Sequence, residues 1–307
     1  NTAKGLPLTT PIKRHNFASA FLFFHVFCAK FTGIFIFLLL WSVLLSSRVE
    51  GQEKTVIVDR TFGEFENAVS LSLDAAGNLF VLDAGKNSLV EYSPKGELLK
   101  SIGGRGWGDL EFDAPTDVCA NFALDIYVAD YNNRRIQRFD RTMNLVQSIM
   151  KENSMPSMNG AFYPRACALS SQGELFVVES DGRRILKFTP NQQLEREFGS
   201  FNAGAGALRD PRDIAVTPEG KVLVLDVQHI VEFDTFANYI TSVPLDSVYS
   251  PGSISIAGNA MIVIDPQRVV LYSLEGLRQS EITARSLIGV EASGEFRDAA
   301  GVGSTLY

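Results

Sequence analysis

The chain has 307 residues, 46% hydrophobic and 21% charged, which is enough to bury a sizeable core. Its formal net charge is -7. The first 52 residues hold five of the basic residues and one of the acidic, leaving 23 basic against 34 acidic beyond them, a net of -11. A body this acidic excludes nucleic acid and anionic membrane as main partners, because phosphate binding needs a basic footprint; a local basic patch is still allowed.

In chain order, the first feature is an apolar run from Phe31 to Leu45, preceded by Lys30 and followed by Ser46-Ser47-Arg48-Val49-Glu50-Gly51-Gln52. Charge, apolar stretch and small residues in that order are the pattern of a secretory signal, with cleavage before Gln52 or after Ser47. The alternative is a retained anchor: the run is short of the about 20 residues that a span needs, but Phe17–Ala29 adds a second apolar stretch. Residues 1–52 are thus expected to be a leader of an exported chain, with contact to a membrane only through this segment if it is not cleaved. The sequence starts at Asn1 rather than Met and stops at Tyr307 inside a strand pattern, which suggests a longer reading frame.

From residue 53 a repeat takes over. Asp125-Ile126-Tyr127-Val128-Ala129-Asp130 has apolar residues on both faces of a strand, a polar turn at Tyr131–Arg134, and a second strand from Arg135. Equivalent strands follow as Asn78–Asp83, Glu174–Glu179, Lys221–Asp226 and Ala260–Asp265. The units begin near Glu66, Pro115, Pro164, Pro211, Pro251 and Phe296. A spacing of about 40–50 residues with four short strands per unit is the signature of β-propeller blades. Five units are complete and a sixth is cut off. The strand Thr55–Thr61 is expected to join the last blade and close the ring.

Tyr127-Val-Ala-Asp-Tyr-Asn-Asn-Arg-Arg-Ile-Gln-Arg-Phe139, with Ile102-Gly-Gly-Arg-Gly-Trp-Gly108 and Pro115 before it, resembles an NHL repeat. The resemblance spans roughly residues 55–307. It implies an all-β, six-bladed propeller of four-stranded blades used as a binding platform; here the last blade is expected to be truncated, and the chain to be a monomer that takes a protein or peptide partner. A minority of similar proteins are enzymes: metal-dependent lyases of amidated peptides, lactonases and strictosidine-synthase-like proteins.

An acid recurs in every unit, at Asp83, Asp130, Glu179, Asp226 and Asp265. A base across the turn recurs at Arg135, Arg184, His229 and Arg268, with Ser88 the exception. A group repeated in every blade serves the blade, so this column is expected to brace the hairpins. His229 is the only histidine outside the leader, and it falls in that column, which leaves the several-histidine lyase site without its residues. A lactonase-like hydrolase with a calcium ion at the channel mouth is the second reading. The glycine-rich Ile102–Gly108 leads into a strand rather than a helix, so it is expected to be an inter-blade connection needing positive φ and not a phosphate loop. Cys119 and Cys167 are expected to be buried free thiols, a single bridge between them being the alternative.

Function is sought where the units differ. Asp117, Arg165, Arg212 and Asp213 stand at the starts of the inner strands and are expected to share one face at the channel mouth. Trp107 and Tyr131 are non-repeated loop aromatics of the kind used as interface anchors. The insert Lys151–Asn159, flanked and filled by Met150, Met155 and Met158, is either a flexible contact loop or a plain linker. The expected function is a non-catalytic, exported binding platform with no cofactor, calcium excepted.

Overall fold

The computed structural model describes residues 61–120, 125–245, 248, 250–283, 295–302 and 305–307, with the short strands at 56–57 and 287–288, all within the unit Val49–Tyr307. The leader expectations fall on residues 1–52, outside the described residues. Among the described residues no helix is long and apolar enough to cross a membrane.

Five antiparallel four-stranded sheets follow one another along the chain, each with its strands in sequence order. Blade one holds β2 (Ala68–Leu73), β3 (Leu79–Asp83), β4 (Ser88–Tyr92) and β5 (Leu98–Gly103). Blade two holds β6 (Pro115–Cys119), β7 (Asp125–Asp130), β8 (Arg135–Asp140) and β9 (Leu145–Ile149). After the short α1 (Lys151–Ser154), blade three holds β10 (Pro164–Leu169), β11 (Leu175–Glu179), β12 (Arg184–Phe188) and β13 (Leu194–Phe198). Blade four holds β14 (Pro211–Val216), β15 (Val222–Asp226), β16 (His229–Phe233) and β17 (Tyr239–Pro244). Blade five holds β18 (Ser253–Ala257), β19 (Ala260–Asp265), β20 (Arg268–Ser273) and β21 (Arg278–Thr283).

The strand period of two explains how blades stack. Successive side chains point to opposite faces, so an all-apolar second strand feeds two cores. In β7, Ile126 and Val128 pack against Phe80 and Leu82 of blade one, while Tyr127 and Ala129 pack against Leu175 and Val177 of blade three. In β11, Phe176 and Val178 turn the other way, to meet Val222 and Val224 of blade four. In β15, Leu223 and Leu225 meet Met261 and Val263 of blade five. No blade could bury both faces alone, so each interface stabilises two blades at once.

The expectation of six blades is met only in part. Among the described residues there are five complete blades; beyond them β23 (Gly301–Val302) and β24 (Thr305–Leu306) form a two-stranded sheet. Ala299 and Phe296 pack on blade five, and Tyr307 packs with Phe62 and Phe65 on the free face of blade one. Residues 295–307 therefore touch both ends of the five-blade series. Of the strand expected at Thr55–Thr61, the described part, β1 (Val56–Ile57), runs parallel to β22 (Leu287–Ile288) in a two-stranded sheet.

The methionines of the insert point inward. Met155 and Met158 are buried in the core between blades two and three, where the unbranched thioether fills an irregular gap. Cys119 and Cys167 are buried and free, as expected. Gly103 and Gly104 have φ of 130° and 128°, which a side chain rarely tolerates and which turns β5 into the next inner strand.

Candidate functional site

The functional candidates gather at one end of the blades, where inner strands begin and where the second strand turns into the third. Pairing of Pro115 with Asp130 and of Pro211 with Asp226 puts both features at the same end. In blades one to four the inner strand carries a register shift within its first three residues. A bulge re-aims side chains. It sends residues 116, 165 and 212 to the mouth and residues 117, 166 and 213 into the channel, so the four predicted face residues separate into two layers.

Inside, Asp117 and Asp213 line a cavity of ≈ 500 Å³ between the inner strands, together with Asp298, which the sequence reading missed. Each carboxylate ties its own unit to a neighbouring inner strand. Asp117 accepts the Cys167 amide at 2.6 Å and the Ser70 hydroxyl at 2.6 Å. Asp213 accepts the Ile254 amide at 2.7 Å, and Asp298 accepts the Leu71 amide at 2.8 Å. Asp298 also receives the Ser253 hydroxyl. Counting two residues on from Pro115, Pro211 and Phe296 reaches all three aspartates, so aligning the units as columns would have found the third.

Burial in the channel pushes these acids up from the usual carboxylate range. Asp117 reaches about 7 and Asp298 about 6, in both cases mainly through desolvation. Asp213 is pushed well up by desolvation and by the charges of Asp117 and Asp298. Blades one and five offer Ser70 and Ser253 to a neighbouring aspartate; blade three has Ala166 at that position, so Asp213 gains no hydroxyl from it. Among the described residues no group of three His, Cys, Asp or Glu side chains is arranged to hold a metal ion.

At the mouth, Arg165 and Arg212 converge on Asp210, at 3.3 and 3.1 Å, and Arg212 also donates to the Pro251 carbonyl. Beside them Tyr131 packs on Tyr163, ring centroids 5.4 Å apart, with the Arg134 guanidinium 4.8 Å from the Tyr163 ring. Trp107 stands 59% exposed, its ring 5.4 Å from the Arg135 guanidinium. Arg165, Arg212 and Tyr131 thus lie at the mouth, Trp107 stands at the same end of blade two over Arg135 of β8, and Asp117 and Asp213 lie below the mouth.

The repeated acid has a more general partner than the expected base. Asp83 accepts the amides of Glu66 and Asn67, Asp130 that of Asp113, Glu179 that of Tyr163, and Asp226 those of Arg209 and Asp210. Each carboxylate therefore fastens the incoming loop 16 or 17 residues upstream. Arginine adds to this in three blades, as Asp130–Arg135 (2.8 Å), Glu179–Arg184 (3.1 Å) and Asp265–Arg268 (3.2 Å). His229 is exposed.

Comparison with known proteins agrees with this architecture. The NHL repeat family profile matches residues 112–139, which covers the loop clamp, β6, β7 and β8. Protein brain tumor of Drosophila melanogaster is 27% identical over 165 residues, half of this chain but 15% of its own length. NHL repeat-containing protein 3 of Homo sapiens is 31% identical over 81 residues, a quarter of this chain and 23% of its own. The chain thus spans well under two thirds of these relatives. Among solved structures, a nidogen/laminin complex has a chain with TM-score 0.58 at 12% identity, covering 70% of this chain and 80% of its own. Virginiamycin B lyase of Staphylococcus aureus gives 0.53 at 16%, covering 77% and 74%. At such identities the likeness is one of fold.

Proposed function

Because the chain belongs to the NHL-repeat β-propellers, we propose that it is an exported, non-catalytic platform that holds a protein or peptide partner at the channel mouth. The observation that carries this is the pairing of an exposed tryptophan with a braced loop. Trp107 shows most of its ring to solvent, while the loop beneath it is pinned by Arg135, Asn133 and Gln137 through the carbonyls of Gly106, Gly108 and Glu111. A large aromatic held on a preorganised loop loses little entropy on binding, which is what an interface anchor requires. The nidogen/laminin neighbour, a protein complex, supports the same use of the fold. Export rests on the Lys30 and Phe31–Leu45 pattern, and N-terminal sequencing of secreted protein should give a chain beginning after residue 45.

The platform is tested by affinity capture from the exported fraction with the wild type and with a Trp107→Ala/Tyr131→Ala/Arg165→Ala/Arg212→Ala variant. The variant should keep its far-UV spectrum and lose most of the captured partner. Equal capture by both proteins would remove the mouth as the binding face.

A further inference from the structure

We propose that the sector of the mouth formed by blades two, three and four docks an acidic, extended segment of the partner, a refinement that rests on the platform reading above. The sector is basic on a protein that is otherwise acidic. Arg134, Arg165, Arg183, Arg209 and Arg212 gather there with three carboxylates at the surface, Asp113, Asp181 and Asp210. Residues 53–307 as a whole carry a net of -11.

The contacts make this one surface. Arg134 lies over Tyr163, which stands two residues before Arg165; Arg165 reaches Asp210, which also binds Arg212 and adjoins Arg209. The Ser180 amide, at the base of the turn that carries Arg183, donates to the Tyr163 carbonyl. Two guanidinium groups share the single carboxylate of Asp210, so the pair retains a positive charge and unused N–H donors suited to a second carboxylate. Arg134, Arg183 and Arg209 are exposed and form no ion pair among the described residues.

The backbone points the same way. Arg134 and Arg183 hold corresponding turn positions with φ of 53° and 47°. Left-handed backbone disfavours a long L side chain, and asparagine or glycine would suit the turn better. Blade one has Asn87 at the same position with φ of 51°, whereas blades two and three place an exposed arginine there.

A short acidic segment fits this charge distribution better than a nucleic acid. The positive sector is bounded by acidic surface, including exposed Glu64, Glu66, Asp109 and Glu111. A polyanion longer than the sector would run into that surface and be repelled there. A peptide of a few carboxylates with an aromatic residue can lie over the arginines and the Tyr131–Tyr163 pair alone.

Fluorescence anisotropy tests the inference, using a labelled Glu/Ser peptide of about twelve residues with one tyrosine, its Gln and Lys counterparts, and an oligouridine of equal length. The Glu peptide should bind, weaken with added salt, and bind about tenfold less tightly to an Arg134→Ala/Arg209→Ala variant, whose side chains hold no internal ion pair. Equal binding of the Gln peptide, or tighter binding of the oligouridine, would overturn the acidic-segment assignment. If none of the probes binds while partner capture still depends on Trp107 and Tyr131, the assignment falls and the platform stands. If capture is also indifferent to those residues, both fall.

Discussion

Replacing Arg135 by alanine is expected to destabilise the propeller by about 3–5 kcal/mol, the usual consequence of removing one partner from a buried ion pair. The Asp130 and Arg135 side chains are 0% and 4% exposed, and Nε of Arg135 meets the carboxylate at 2.8 Å. The same guanidinium donates to the carbonyls of Gly108 and Glu111, both at 2.9 Å, so its loss also strips donors from the loop that leads into blade two. In a propeller of this size the melting temperature should fall by roughly 10 °C. Arg135→Lys should recover only part of the loss, because one ammonium cannot reproduce the three-way fork. Arg134→Ala, one residue away but exposed, should change stability by no more than about 0.5 kcal/mol. Calorimetry on the three variants decides the matter: a loss under about 1 kcal/mol for Arg135→Ala would mean that the clamp is not what holds the loop.

The second large effect concerns the channel. The folded-state values of Asp117 and Asp298, about 7 and about 6, stand above the ordinary 3.8, and Asp213 is also raised. The folded protein therefore binds more protons than the unfolded chain between those limits. These groups favour folding below about pH 4, and their contribution is lost as pH rises towards 7. Asp117→Asn should remove one such loss. Its amide oxygen can accept the Cys167 N–H, and its amide nitrogen can donate to Ser70 Oγ, so the strand tie survives. The variant should match the wild type near pH 4 and exceed it at pH 8 by on the order of 2 kcal/mol, less than the full shift because the three acids share their burden. Melting temperatures of both proteins across that range provide the check. A difference that does not grow with pH would show that the channel acids are ionised in the folded protein at no cost.

Much of this architecture is legible in the sequence because a propeller writes itself as period. The alternation within Ile126-Tyr127-Val128-Ala129, doubled apolar faces and all, already states that each blade lies between two others. The recurring acid was also visible, but its main partner was not. The amides of Glu66, Asn67, Asp113, Tyr163, Arg209 and Asp210 carry no side-chain signature, whereas Arg135 and Arg184 do, so the base drew attention that belonged to the backbone. The split of Asp117 and Asp213 from Arg165 and Arg212 was hidden for a related reason. Adjacent residues of a regular strand point opposite ways, but only the register shift at the start of β6, β10 and β14 determines which enters the channel. Tyr163 and Asp210 escaped notice because their roles are given by partners about 30 and 45 residues away in sequence.

The bond from the Leu71 amide to Asp298 joins positions 227 apart. A ribosome adding about 5–20 residues per second leaves the first blade without that partner for roughly 10–45 s. During this interval the outer face of blade one, with Leu79, Val81 and Tyr92, also lacks its cover from Tyr307. Blades two to five can add in turn as they emerge, each finding its predecessor already in place. The nascent chain must therefore carry an open apolar flank until the residues from Asp298 to Tyr307 emerge, so blade one is completed only after blades two to five and is the one most in need of shelter.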